Sequence, residues 1–259
     1  TVALTGDGGD EIFAGYDSYL TALKREKLKL LPRWFKYFLA DKIGNRLPYH
    51  LPGKGFLQGL PLDEGKRFCL GVGELWKKDL FSRDFLKKID KLDSYQIIEK
   101  YLLNSFPEYL CKFTYLDTKL LLPNNILVKV DRMSMANSLE TRTLFLDHEI
   151  VEFAATIPAG LKIKGSITKY LLKKSVEDLI PKEILVRGKQ GFGLPVDIWF
   201  RNKLKDMIIS SVEKVKDYGI FNHSFIKNRL DDHLNSKRDN AGFLWSLMAF
   251  QKWHEKYFR

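Results

Sequence analysis

Three carboxylates lie close together in the loop that follows the first apolar segment of the chain. Residues 5–11 read TGDGGDE, which places Asp7, Asp10 and Glu11 among three glycines. At the end of a strand in an open α/β sheet, glycines let backbone amides approach a phosphate. Three carboxylates would repel a bare phosphate, but they suit a Mg²⁺ ion that bridges to one. The loop therefore predicts a metal-assisted phosphate site, and the alternative is a tight turn in which Asp10 only caps a helix.

Two common ion-binding loops do not fit this sequence. The Gly-Lys-Ser/Thr ending of a Walker A loop is absent, and so is the alternating Asp pattern of an EF-hand. An uncompensated carboxylate cluster at a strand end is costly without a cation. The loop composition therefore favours a functional role.

A second stretch, residues 123–149, combines acidic and basic residues. The apolar spacing predicts a helix that Asn125 caps and whose apolar residues face inward. Asp131 and Arg132 then point elsewhere, and Glu140 and Arg142 lie in the turn beyond the helix. These four residues could orient a substrate amino acid, or they could form a structural ion-pair network.

The third stretch, residues 166–201, contains Lys169 and a glycine-rich loop with Arg187, Lys189 and Gln190. A lone Lys is ordinarily a solvated surface group, so its position along the chain assigns it no role. The basic loop could close over phosphates or simply connect two helices.

Together the three stretches resemble the asparagine synthetase family. The family's Gly-Asp/Glu-Gly-x-Asp-Glu loop and Phe-x-Gly-Tyr segment appear here as GDGGDE and FAGY. Residues 131–147 match its Asp-Arg-x-Ser-Met-Ala, Ser-Leu-Glu-x-Arg and Phe-Leu-Asp signature, with Leu144 where a Pro is usual. Residues 169–195 match its Lys-x-x-Leu-(Lys/Arg) helix, its Pro-x-x-(Ile/Val)-Leu segment and its basic Gly-Phe-Gly-x-Pro loop.

The resemblance implies an α/β fold of the Rossmann-like ATP-pyrophosphatase type, similar to the adenine nucleotide alpha hydrolases. This chain would be its mostly α-helical C-terminal portion, with few strands. Family members adenylate a side-chain carboxylate with ATP, release pyrophosphate, and displace AMP with ammonia that an N-terminal glutaminase domain takes from glutamine. The expected substrates are therefore ATP, aspartate or a similar carboxylate, and ammonia, and Mg²⁺ is the expected metal.

The resemblance also assigns roles to individual residues. Lys169 would meet the pyrophosphate as a catalytic and ATP-binding residue, and Asp7 would contact substrate and act as a base. The other assignments are Asp10 and Glu11 as metal ligands, Thr5, Gly6 and Gly8 as contacts to ATP or the adenylate, and Asp131, Arg132, Glu140 and Arg142 as substrate-binding residues.

The chain is expected to be an asparagine synthetase domain, residues 1–259, truncated at its N-terminus. It has no initiator Met, and it contains neither a Ser-Gly-Gly-x-Asp-Ser loop nor a glutaminase domain. Only residues 2–5 read as a strand, and a lone strand leaves its N–H and C=O groups unpaired. We therefore expect its parallel neighbours to lie upstream, and we expect the isolated chain to lack synthetase activity.

Apolar periodicity predicts that most of the remaining chain is helical. Prolines and glycines predict breaks, including one at residues 123–125. The predicted helices are 16–31, 85–103, 113–122, 126–139, 150–157, 170–179, 204–215, 225–234 and 241–258.

Composition narrows the functional class. No apolar run is long enough to span a bilayer, no signal peptide begins the chain, and Cys69 and Cys111 lack zinc-ligand spacing. We therefore expect a cytoplasmic protein with reduced thiols and no membrane partner. If the protein forms an oligomer, we expect a homodimer. The net charge of +11 suits polyanions, but the basic residues are spread along the chain. We therefore expect no nucleic-acid partner.

Three alternatives remain open at this level. Relatives of the same fold amidate sugars, peptides or antibiotic precursors, or close a β-lactam ring. A tRNA-modifying protein would use the positive charge, but no RNA-binding signature is present. A non-catalytic remnant is the third.

Overall fold

The computed structural model describes residues 1–44, 46–47, 51, 53–62, 77–93, 95–188 and 193–258. Two compact units divide the chain. Unit 1 comprises Thr1–Arg46, Gly53–Pro61 and Lys100–Gly191, and unit 2 comprises Leu47–Pro52, Leu62–Glu99 and Phe192–Arg259.

Most of the described chain is helical, which agrees with the expectation of a mostly helical portion with few strands. Between the helices the backbone forms π-helical segments at Leu39–Gly44 and Asp117–Leu127 and 3₁₀ turns at Leu144–Leu146 and Val215–Tyr218. The α-helices are α1 (Gly9–Ile12), α2 (Asp17–Lys27), α3 (Arg33–Phe38), α4 (Lys54–Gln58), α5 (Lys77–Leu80), α6 (Arg83–Lys88), α7 (Gln96–Leu102), α8 (Tyr109–Leu116), α9 (Val128–Met135), α10 (His148–Thr156), α11 (Ala159–Lys162), α12 (Tyr170–Ser175), α13 (Lys182–Val186), α14 (Val196–Arg201), α15 (Lys205–Lys214), α16 (His223–Leu234) and α17 (Ala241–Tyr257).

Unit 1 contains a two-stranded parallel sheet. Strand β1 (Val2–Thr5) pairs with β2 (Glu140–Thr143), with Val2 opposite Glu140 and Thr5 opposite Thr143. The expectation that every neighbour of β1 lies upstream was wrong, because β2 is part of this chain. Glu140 and Arg142 accordingly lie on a strand and not in a turn. The segment escaped prediction because ETRT has no apolar residue to mark a strand.

The helix of unit 1 that was expected to break at residues 123–125 is continuous. Backbone angles remain helical from α8 through the π-helical segment into α9. Asn125 is therefore inside the helix and does not cap it. A proline ring clashes with the carbonyl at i−4 of an α-helix, and the wider π-helical turn around Pro123 relieves that clash.

The largest core cluster lies in unit 2. Helices α14 to α17 and the 3₁₀ turn at Val215–Tyr218 contribute its fully buried side chains, among them Phe200, Ile208, Val212 and Leu244. The predicted helix 85–103 is two helices, α6 and α7, because the chain turns around Asp93, whose carboxylate accepts a hydrogen bond from the amide of Tyr95 at 2.9 Å. No helix among the described residues is long and apolar enough to cross a membrane.

A buried histidine connects α16 to the start of α17 in unit 2. His233 is 0% exposed, and its Nδ1 accepts a hydrogen bond from the amide of Asn240 at 3.2 Å. The Arg201 side chain donates from Nε to the carbonyl of His233 at 3.0 Å. Burial, and then the nearby Arg201 charge, lower the pKa of His233. The imidazole is therefore neutral in the folded state near pH 7, with Nδ1 as an acceptor.

We predict that unit 2 loses stability in mild acid. Because the folded-state pKa of His233 lies below the unfolded value, its contribution is present above about pH 6.5 and is lost as the pH falls through the folded-state pKa. His233→Gln should therefore make the decrease in unfolding free energy between pH 7 and pH 5 smaller than in the parent. Urea unfolding at both pH values measures this difference, and an unchanged pH dependence in the variant would contradict it.

Candidate active site

The acidic loop begins where β1 ends and packs against residues that follow β2. Gly8 adopts φ 87°, in the left-handed region that favours glycine. A Cβ at Gly8 would lie 2.2 Å from Cδ2 of Leu146, and one at Gly9 would lie 3.0 Å from the ring of Phe145. Both glycines are therefore needed for this close approach, which brings the Phe-Leu-Asp triplet onto the acidic loop.

A small core holds all three sequence stretches together. Ile12 and Phe13, which follow the loop, form one buried cluster with Ala154 and Ile157, and Leu171 and Leu172 of α12 pack against it. The rings of Phe13 and Phe145 meet edge to face at 5.9 Å. Hydrophobic packing thus fixes α12 beside the acidic loop.

Asp10 and Lys169 are brought together by this core. The Nζ of Lys169 lies 2.8 Å from Oδ1 of Asp10. The two side chains are only 26% and 18% exposed, so this ion pair is more shielded from water than an ordinary surface pair. A cation and a carboxylate at one partly open position can respectively neutralise a leaving phosphate and bind a metal ion.

Gly15 has no side chain, and the ion pair occupies the space that a side chain there would fill. A Cβ at this position would lie 1.9 Å from Oδ1 of Asp10 and 2.3 Å from Cε of Lys169. Ala14, which directly precedes Gly15, and Lys169 itself adopt positive φ of 56° and 52°. This backbone conformation is strained for residues other than glycine. The close contact at Gly15 and the strained backbone therefore both lie at the Asp10–Lys169 ion pair, and strain of this kind clusters at functional sites.

Thr5 and Asp7 lie at the carboxyl ends of the paired strands. The Oγ1 of Thr5 is buried and has no hydrogen-bond partner among the described residues. A buried hydroxyl of this kind ordinarily has a partner, so Oγ1 fits a contact to a bound molecule. Gly6 is open on its side-chain face, and Asp7 is partly exposed. This geometry is compatible with the nucleotide and substrate contacts assigned to Thr5, Gly6 and Asp7, and those roles stay predictions.

Unlike Asp10, Glu11 is buried in the protein. Its side chain is 1% exposed, and one carboxylate oxygen, Oε1, accepts a hydrogen bond from the Tyr16 hydroxyl at 2.5 Å. Burial and this bond raise the pKa of Tyr16, which remains a donor. The geometry gives Glu11 a role in orienting Tyr16, and its assignment as a metal ligand stays a prediction.

The fit of a metal ion therefore rests on Asp10. Across the described ranges of both units, no three His, Cys, Asp or Glu side chains are arranged to hold a metal ion. Mg²⁺ commonly keeps several waters and binds one or two carboxylates together with substrate phosphates. A single partly exposed carboxylate is sufficient for such an ion when phosphates supply further ligands.

A second buried acid lies behind the loop and was missed in the sequence. The Tyr19 hydroxyl donates to Oδ2 of Asp117 at 2.6 Å, and the two residues are 98 positions apart. Burial raises the pKa of Asp117 to about 6, the Glu11 charge acts in the same direction, and the hydrogen bond from Tyr19 opposes both. The signal that could have revealed Asp117 is its helical spacing from apolar residues, since Phe113 lies four positions before it and Leu120 and Leu121 lie three and four positions after it.

We predict that replacing Asp117 makes unit 1 more stable at neutral pH relative to acid pH. The raised folded-state pKa means that the contribution of Asp117 is fully present below about pH 4 and is lost as the pH rises through about 6. Between pH 4 and pH 7, the unfolding free energy of Asp117→Asn should therefore rise relative to that of the parent by on the order of 2 kcal/mol. Denaturant unfolding with an amide hydrogen-exchange readout for unit 1 measures this. A difference that is constant with pH would refute the prediction.

The four predicted substrate-binding residues are not gathered at the loop. Asp131 and Arg132 are exposed on α9, and neither side chain has a hydrogen-bond or ion-pair partner among the described residues. Glu140 and Arg142 form an exposed ion pair on β2 at 2.5 Å. That pair agrees with the structural alternative, and the substrate roles of all four stay predictions. Of the basic loop, Lys189 and Gln190 lie outside the described residues.

Comparison with known proteins decides the family. The profile of the family described as asparagine synthase matches residues 1–255. The chain belongs to the asparagine synthase family. A glutamine-hydrolysing asparagine synthetase of Bacillus subtilis is 31% identical over 98% of this chain and 40% of that protein. A putative asparagine synthetase of Mycobacterium tuberculosis is 29% identical over 98% of the chain and 39% of that protein.

Within the asparagine synthase family the similarity extends beyond enzymes named for asparagine. The chain is 26% identical to the amidase chyE of Penicillium rubens over 96% of its length and 40% of that protein. The chain thus spans about 40% of the length of these curated relatives. No solved structure matches it.

Proposed function

We propose that the chain forms the C-terminal part of the synthetase domain of an ATP-dependent, glutamine-hydrolysing asparagine synthetase. The observation that carries the proposal is the shielded Asp10–Lys169 ion pair at the carboxyl end of the parallel strands. Family membership supports it, because residues 1–255 match throughout and both members of the pair lie within motifs of that family.

In the proposed reaction, the side-chain carboxylate of aspartate attacks the α-phosphate of ATP, and pyrophosphate leaves. Ammonia then attacks the activated acyl carbon, and AMP leaves with the pair of electrons of the broken C–O bond. Adenylation is needed because a carboxylate is a poor electrophile. The products are asparagine, AMP and pyrophosphate.

Each assigned residue of this chain has a separate role in the proposed reaction. Lys169 stabilises the negative charge that builds on the leaving pyrophosphate. Asp10 supplies the carboxylate for Mg²⁺, which would neutralise phosphate charge when bound. Thr5 offers its buried hydroxyl as a contact to the nucleotide, and the open side-chain face of Gly6 leaves room for it. The contact assigned to Gly8 would be made by its backbone. Asp7 accepts a proton from the incoming amine.

The proposal includes partners that lie outside this chain. An N-terminal glutaminase domain would supply ammonia, and upstream residues would supply the Ser-Gly-Gly-x-Asp-Ser loop that the chain lacks. The reaction would take place in the cytoplasm. A homodimer is the proposed assembly, and light scattering on the longer polypeptide tests it.

The experiment compares the 259-residue chain with a polypeptide extended upstream to the glutaminase domain. Each is given ATP, Mg²⁺, aspartate and ammonia or glutamine, and pyrophosphate and asparagine are measured. We expect both products from the extended form and none from the chain alone. Pyrophosphate release by the chain alone would overturn the expected inactivity. No product from the extended form with any carboxylate would overturn the assignment itself.

Amidation of a different acceptor is the second candidate, because one of the relatives is named an amidase and is as fully covered as the synthetases. The residue Leu144, which precedes the Phe-Leu-Asp triplet, is exposed, so the loop surface differs where the family usually has a Pro. A panel of carboxylate acceptors offered to the extended polypeptide separates the candidates. Pyrophosphate release with another acid, and none with aspartate, would favour this second function.

A further inference from the structure

The helical segment 33–44 of unit 1 has an unusual distribution of side chains. It comprises α3 and the π-helical turn after it, and its buried residues are the small Ala40 and Gly44. A Cβ on Gly44 would meet Cβ of Leu57 on α4 at 3.2 Å, so this is the face that packs against the protein. In a helix stabilised by its own core contacts, the large apolar residues would be on that inner face.

Three of the four aromatic rings of this helix are instead exposed to solvent, and the fourth, Phe35, is half-buried. Trp34 is 71% exposed, and Tyr37 and Phe38 are each 49% exposed. Their spacing of three and four residues places all three on one side of the helix. Leu30, just before the helix, is 95% exposed, and Ile43 is 42% exposed. Scattered exposed apolar residues are ordinary, but a grouped set marks an interaction surface.

Positive charge surrounds these rings. Residues 24–46 contain eight Lys and Arg and two acidic residues, a net charge of +6 in a chain of +11. The Nζ of Lys36 donates to the carbonyl of Lys29 at 2.8 Å, which holds the basic end of α2 beside α3. The guanidinium of Arg33 lies 5.9 Å from the Tyr37 ring. Residues 24–44 and 46 form this basic-aromatic surface.

We propose that the basic-aromatic surface attaches the protein peripherally to an anionic lipid bilayer. Rings and aliphatic side chains enter the boundary between headgroups and acyl chains, and Lys and Arg side chains meet lipid phosphates. Exposed aliphatic side chains such as Leu30 and Ile43 favour lipid over RNA. The bases of RNA stack on aromatic rings but gain little from aliphatic side chains. The expectation of no membrane partner rested on the absence of a spanning run, and attachment to a surface does not require one.

The test is sedimentation with vesicles of phosphatidylcholine alone and of phosphatidylcholine with about one third phosphatidylglycerol. Both the chain and the extended polypeptide are measured, at low and high salt. We expect binding to the anionic vesicles only, and weaker binding as salt screens the charges. Trp34→Ser with Phe38→Ser, and separately Lys29→Gln with Arg33→Gln, should each lower the bound fraction at least about tenfold.

A matched control replaces a ring and a charge on another helix, α17. Trp253 is 47% exposed there, and Trp253→Ser with Lys256→Gln should leave vesicle binding within about twofold of the parent. All the altered side chains are solvent-exposed or only contact neighbouring rings, and circular dichroism checks that each variant folds.

Several results would overturn the proposal. The first is that neither polypeptide binds anionic vesicles, and the second is that the control variant loses as much vesicle binding as the surface variants. The third is that the chain binds and the extended polypeptide does not, which would mean that other parts of the polypeptide cover the surface. Retention of transfer RNA that is insensitive to Trp34→Ser, without vesicle binding, would assign the charge to nucleic acid instead. None of these outcomes depends on the proposed synthetase reaction, because residues 24–46 contain none of its assigned residues.

Discussion

Lys169→Met in the extended polypeptide is expected to lower the rate of pyrophosphate release by about 100-fold to 1,000-fold. The physical reason is that the Lys169 ammonium is shielded and lies 2.8 Å from Asp10. In the proposed reaction it would neutralise the negative charge that builds up as pyrophosphate leaves. Methionine keeps the length of the side chain and removes the charge. Because the lost interaction strengthens in the transition state, kcat should fall more than KM rises.

Lys174→Met is the matched control for this substitution. Lys174 lies on α12, the helix that follows directly after Lys169, and its Nζ makes an exposed ion pair with Glu177. Exposed pairs contribute little to stability, so this variant should retain the parent rate within about twofold. Equal losses in the two variants would indicate damage to α12 as a whole. An active Lys169→Met enzyme would remove the central residue of the proposed site.

Gly15→Ala should separate the two members of the ion pair. The added methyl group would overlap Oδ1 of Asp10 and Cε of Lys169, at 1.9 and 2.3 Å. Either the side chains or the backbone of the loop must move, and overpacking of this kind typically costs about 1 to 3 kcal/mol of stability. Because a misplacement of about 1 Å at an active site can cost about 100-fold in rate, we expect a loss of that size.

The control for Gly15→Ala is Gly160→Ala on α11, where a Cβ would meet nothing within 4 Å. Alanine in a helix is favoured over glycine, so this variant should be as stable as the parent or slightly more so. Thermal unfolding and pyrophosphate release are measured for both variants. Normal activity in Gly15→Ala would mean that the Asp10–Lys169 contact is not required for the reaction.

Local sequence predicted the residues of the site but not their mutual arrangement. The glycine and carboxylate pattern of residues 5–11 predicted a turn after a strand, and Gly8 has the positive φ that such a turn needs. The resemblance nominated Asp10 and Lys169, which the structure brings together. Burial could not be read in the same way, because Asp10 and Glu11 are adjacent along the chain, yet Asp10 is partly exposed at the ion pair and Glu11 is buried against Tyr16.

Sequence by itself determined the mostly helical character of the chain, its family, and the chemistry available at the acidic loop, because these depend on residue types at short spacing. Only the tertiary structure decided that β2 pairs with β1, that Glu11 turns inward to Tyr16, and that Asp117 is buried against Tyr19. Those outcomes depend on contacts between residues far apart in the chain, or on which face of a short helix meets the core. Short-range patterns do not specify which distant residues come into contact, and a helix of one turn is too short for apolar spacing to mark its inner face.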